Sequence, residues 1–170
     1  MNNGYKFFLY FFISEFMNTL TVEILLQNYQ DAHLTRQVIE AFPENELFSF
    51  SIGGMRPFSE MIKEFIGIWD YILKEALSEQ HVPLFEQDHF PTTKGELLAL
   101  RDQVLISLLS ECKMIQNYGQ EISPYQMKFS IAQWILYIIE NETHHRGQGY
   151  VYLRALGIQP PFFWKRGSFK

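Results

Sequence analysis

Glu64 and His145 are the two side chains whose type and place most invite chemistry. Glu64 falls three residues after Met61 and four before Ile68, inside an apolar helical stripe. A carboxylate there needs water, a cation or a hydrogen-bond donor. His145 follows Asn141 by four residues, so the two stack one turn apart on one helix face. That face continues the stripe of Ile131, Trp134 and Ile138 and runs on to Gly149 and Tyr152. Polar groups in an apolar seam cost free energy unless they find partners. Spacing leaves two readings open. Either Glu64 reaches solvent at the edge of a wide face, or Glu64 and His145 line one polar pocket inside a bundle, as in bundle metalloproteins.

The neighbouring candidates have plainer expectations. His144 points about 100° round the helix from His145, four residues after Glu140, and reads as a solvated residue. Glu142 stands four before Arg146, and both pairs suit surface ion pairs of small value. Arg146 and Gln148 are placed to orient the polar network. His33, His81 and His89 lack convergent spacing, and Asp88-His89 has no serine nucleophile motif beside it. Cys112 lies on an apolar stripe and reads as packing, not as a nucleophile. Arg154 and Phe162-Phe163-Trp164 suit sealing the bundle's end or a subunit contact. No glycine-rich phosphate loop, paired catalytic carboxylate signal or dinucleotide fingerprint is present.

Four long stretches with helical periodicity must position these groups. The first runs from about Asn18 to Phe42, with Val22, Leu25, Tyr29, Ala32 and Ile39 on one side and Pro43 past its end. The second begins near Pro57, a residue suited to a first helical turn, and turns Met61, Phe65, Ile68 and Ile72 inward. Thr93-Lys94-Gly95-Glu96 is a capping box that opens the third, whose stripe is Leu97, Val104, Leu105, Leu108, Cys112 and Ile115. The fourth starts around Ser123-Pro124 and runs to Leu156, where Gly157 is a left-handed terminator. Phe48 to Gly54 alternates briefly and reads as an extended connector. Four amphipathic helices of this length imply an all-α, four-helix bundle.

The 170-residue chain is long enough for one domain with a real core, and 16 Phe, 9 Tyr and 3 Trp load it with aromatic packing. A net charge of -5, with no cluster of Lys and Arg, argues against nucleic-acid binding. The single cysteine excludes an intramolecular disulfide framework and fits a reducing cytoplasm. Phe7 to Ile13 is apolar but too short to span a membrane. Residues 1–16 read as an N-terminal extension of uncertain role, and residues 17–170 as the folded domain.

The run from Glu140 to Pro161, with His145-Arg146-Gly147-Gln148, Tyr152-Leu153-Arg154, Leu156-Gly157-Ile158 and the following prolines, resembles the signature of the DinB/YfiT-like metalloenzyme family. Met55 to Met61 is similar to that family's entry into its second helix. This family is distinct from the translesion polymerase that shares the name. The resemblance implies a four-helix bundle with one histidine from the second helix and two, four apart, from the fourth, gripping a divalent metal. By position those ligands fall on Glu64, Asn141 and His145, with His144, Arg146 and Gln148 as supporting residues. Only His145 keeps the family's residue type. Imidazole suits zinc or nickel, a carboxylate favours harder ions such as manganese, and a neutral amide is a poor ligand. A Glu/Asn/His set can hold a metal weakly with waters, or form a metal-free network. The expectation leans to no tightly held ion.

Two functions follow from the resemblance. One is a metal-dependent transferase of low-molecular-weight thiols, or a related hydrolase-like activity. The other is a non-catalytic, stress-associated homodimer that binds a small molecule or a protein partner in the relict pocket. The substituted ligands favour the second. No membrane partner is expected.

Overall fold

The structure, a computed structural model, describes residues 13–14, 16–17, 22–29, 33–77 and 90–165. Among them, residues 22–29 are helical (α1), followed by α2 (Leu34–Ala41), α3 (Glu44–Ser49), α4 (Phe58–Ala76), α5 (Lys94–Cys112) and α6 (Ile131–Ala155). A two-stranded antiparallel hairpin, β1 (Glu121–Ile122) and β2 (Phe129–Ser130), precedes α6. The fold is all-α, and among the described residues this hairpin is the one departure from helices and turns. Most of the 1–16 segment lies outside the described residues, as do His81 and the Asp88-His89 pair.

Local signals explain most boundaries. Thr93 accepts from the Glu96 amide while the Glu96 carboxylate takes the Thr93 amide, so the expected capping box opens α5. Ser130 and Gln133 do the same for α6. At the other end of α6, Gly157 adopts φ 76°, Ile158 donates to the Leu153 carbonyl at 2.8 Å and Gly157 to Arg154 at 3.0 Å. This Schellman arrangement satisfies carbonyls that the helix end would otherwise orphan.

Four expectations are corrected. The stretch from Asn18 to Phe42 is not one helix: His33 has φ 42°, and α2 starts afresh behind it, with Gln37 donating to the His33 carbonyl. Periodicity carries across such a break because the helices on both sides bury the same kind of stripe. His33 is also half-buried, not a plain surface residue. Phe48 and Ser49 end the short helix α3 instead of opening an extended connector. The last helix starts at Ile131, not near Pro124, which sits in a 3-10 turn where Tyr125 and Gln126 take positive φ.

The core falls into two apolar halves along the bundle. One gathers Trp69, Ile72, Leu108, Cys112, Trp134 and Ile138. The other gathers Val38, Ile39, Phe42, Phe58, Phe65 and Tyr152. α4 and α6 pack on each other and contribute to both halves. Gly149 permits the close fit: a Cβ there would lie 2.8 Å from Phe58 Cε2 and 3.0 Å from Val38 Cγ1. Between the halves, at the level of Glu64 on α4 and residues 141–146 on α6, the seam turns polar.

Candidate functional site

The inward line of α6 reads Ile138, Glu142, His145, Gly149 and Tyr152, each buried. Steps of four and three keep that line on the core. Asn141 therefore sits half-buried on its flank, and Glu142 takes the inward place. On α4, Glu64 faces the same seam with its side chain 30% exposed. His145 Nε2 lies 3.0 Å from Glu64 Oε1, and its Nδ1 lies 2.8 Å from Gln148 Oε1. Asn141 Nδ2 reaches the same Glu64 oxygen at 3.5 Å. The acid, the amide and the imidazole thus converge, at the edge of the bundle and not in its dry centre.

A residue that the sequence reading missed completes this cluster. Arg56, in the turn before α4, donates through Nη2 to Glu64 Oε2. Its own carbonyl accepts from the Tyr152 hydroxyl at 2.9 Å, which ties that turn to α6. Burial pushes the Glu64 carboxyl up, but the hydrogen bonds from Arg56 and His145 outweigh it and hold the carboxyl below its ordinary value. A carboxylate on an apolar stripe does signal a missing cation. Helical spacing, however, had no means of naming one that comes from a turn eight residues upstream.

The supporting residues divide. Gln148 joins the network through His145 Nδ1, and its Nε2 approaches Met55 Sδ at 3.8 Å. His144 is exposed and only touches His145 ring to ring, centroids 5.2 Å apart. Arg146 turns away from Glu64 and donates to Thr35 Oγ1 at 3.4 Å and to Thr143 Oγ1 at 3.2 Å.

Glu142 overturns its surface reading. It is 1% exposed, and its two carboxylate oxygens accept from the Tyr29 and Thr35 hydroxyls. Burial first, then the charge of Glu142, pushes the Tyr29 phenol well above its ordinary value, so it stays a donor. The available signal was the step from Ile138: counting four instead of three lands on Glu142. Cys112 keeps its packing role. It is 1% exposed, and burial, with a smaller push from Glu111, raises its thiol to about 12.

The DinB family model matches residues 17–166. The chain belongs to the DinB family. Two solved structures share its fold. A DinB-like protein from Bacillus cereus has TM-score 0.67 and 13% identity, covering 81% of this chain and 93% of that one. A DinB-like protein from Bacillus subtilis, YjoA, has TM-score 0.57 and 14% identity, covering 82% and 94%. No curated protein matches.

For a DinB-family bundle the question is whether this donor set fits a divalent ion. The 3.0 Å between Glu64 Oε1 and His145 Nε2 is a span that two adjacent ligands of one ion could have. Asn141 Oδ1 is buried and makes no hydrogen bond among the described residues. Against this, Glu64 is already neutralised by Arg56, whose guanidinium would repel an incoming cation. Among the described residues no group of three or more His, Cys, Asp or Glu converges as a metal site. The set does not fit a tightly held transition metal.

Proposed function

We propose that this DinB-family protein keeps the family's bundle but has replaced the metal with a protein network, Arg56–Glu64–His145–Gln148. It then acts as a non-catalytic bundle that binds a small molecule or a protein partner. The observation that carries this reading is the Arg56 guanidinium on Glu64. A permanent cation in the sequence occupies the electrostatic role of an exchangeable one. The hydrogen bonds support it further. Both ring nitrogens of His145 are engaged by protein groups, Nε2 with Glu64 Oε1 at 3.0 Å and Nδ1 with Gln148 Oε1 at 2.8 Å.

A metal-dependent thiol S-transferase is the second reading. It is favoured by the buried Asn141 Oδ1, which makes no hydrogen bond among the described residues, and by the chelating span of Glu64 and His145. Zinc, nickel or manganese held there would act as a Lewis acid that lowers a thiol's pKa. The neutralised carboxylate and the weak amide count against it.

Pairing as a homodimer belongs to the same proposal. Phe162, Phe163 and Trp164 stand 42%, 59% and 64% exposed, with both phenyl rings against Trp164, one tilted and one edge-on, an apolar patch suited to a subunit contact. Cytoplasmic placement and a role in stress remain part of it too; among the described residues no helix is long and apolar enough to cross a membrane.

Thermal melts of untagged protein with and without a strong chelator test the network reading. Identical melting temperatures with and without the chelator are expected. A chelator-induced loss of stability, restored by adding back zinc, nickel or manganese, would instead support the transferase reading.

A further inference from the structure

A second polar site lies on the other side of α6 and shares no residue with the Glu64 network. A cavity of about 100 Å³ opens between α1, α2, α5 and α6, with Arg101, Arg146, Glu142, Tyr29 and Thr143 among its walls. Arg101, on α5, is 4% exposed, yet its Nη1 finds no hydrogen-bond partner among the described residues. Among the described residues the carboxylate within ion-pair reach is Asp102, with Oδ1 at 3.6 Å. That is too long for a hydrogen bond, and Asp102 Oδ2 already accepts from Arg36 at 3.0 Å. Burying a guanidinium without full hydrogen bonding is costly.

The acid in the wall does not relieve this. Both Glu142 oxygens are taken by Tyr29 and Thr35. Arg146 donates to two threonine hydroxyls, those of Thr35 and Thr143, which are neutral acceptors. The charged side chains lining the cavity are therefore two guanidiniums and one carboxylate, an excess of one positive charge. Thr143 is exposed and Arg146 half-buried, so the cavity is reachable from solvent beside them.

We propose that this cavity binds a small oxyanion, a carboxylate or phosphate group, between Arg101 and Arg146. The guanidinium fork matches the paired oxygens of either group, and the excess charge selects an anion over a neutral ligand. The volume admits an ion of the size of acetate or phosphate and excludes a nucleotide. Glu142, held by its two hydroxyl donors, fixes the floor of the site and disfavours multiply charged ligands. Acetate therefore binds more tightly than divalent phosphate.

Calorimetric titration of the full-length protein with sodium acetate, inorganic phosphate and sodium chloride at matched ionic strength tests this. One site is expected for acetate, weaker binding for phosphate, and no saturable heat for chloride. Arg101→Gln removes the charge-assisted bonds and should weaken acetate binding by about tenfold or more. Because Arg101 is buried, Arg146→Gln serves as the second variant, and it should weaken binding while the protein still melts cooperatively. Arg154→Gln, an exposed change outside the cavity, should leave binding unchanged. Phosphate binding with no acetate binding would overturn the preference for a singly charged carboxylate. The absence of saturable heat from both oxyanions, or binding that survives both Arg101→Gln and Arg146→Gln, would overturn the site itself.

Discussion

Removing Arg56 should turn a poor metal site into a better one. The guanidinium donates to Glu64 Oε2, and its side chain is 52% exposed. Two unit charges about 4 Å apart interact by roughly 1 kcal/mol in water and roughly 4 kcal/mol at an effective dielectric near 20. Half-exposure places Arg56 toward the low end, and a divalent ion doubles the repulsion, so its removal gains about 2 kcal/mol of metal affinity, on the order of thirtyfold. The carboxyl of Glu64 rises toward its ordinary value in Arg56→Ala but stays ionised at neutral pH, so it does not offset this gain. The fold should tolerate the change, because exposed ion pairs contribute about 0–1 kcal/mol and the Tyr152 hydroxyl binds the backbone carbonyl of residue 56. Competition of wild type and Arg56→Ala with a chromophoric chelator for zinc, nickel and manganese measures the difference. Equal affinities in the two proteins would refute the claim that Arg56 keeps cations away.

Tyr29→Phe and Thr35→Val each strip one donor from the buried Glu142 carboxylate and should cost about 1.5–3 kcal/mol in urea denaturation; a change lost in the noise would show that Glu142 does not depend on them. Gly149→Ala should destabilise by about 1–2 kcal/mol, because overpacking against Phe58 and Val38 exceeds the gain of roughly 1 kcal/mol in helix propensity; a more stable variant would mean the interface relaxes freely. Glu64, with its carboxyl depressed in the folded state, contributes stability above its unfolded value that is lost as pH falls through the folded value. Arg56→Ala should therefore flatten the acid limb of a stability–pH curve in that range, and an unchanged limb would contradict the pairing.

The fold was legible because its signals are local. The capping box at Thr93, the terminator at Gly157 and the stripes on α4 and α5 each follow from a few adjacent residues. The break at His33 was not, since a left-handed histidine leaves no mark on the apolar period around it. At the site, the convergence of Glu64 and His145 could be argued from polar intrusions into two stripes. The identity of their partners could not. Arg56 reaches Glu64 from a turn, and the Glu142 donors come from two other helices, contacts fixed by how the helices lean and not by spacing along any of them. Asn141 and Glu142 differ by one residue, and that single step decides which side chain is buried.

Elemental analysis of protein purified without a histidine tag tests the central claim most directly. A cation role filled by Arg56 predicts zinc, nickel and manganese all far below one per chain, with His145→Ala no different. One equivalent of any of these metals per chain, lost in His145→Ala, would contradict it.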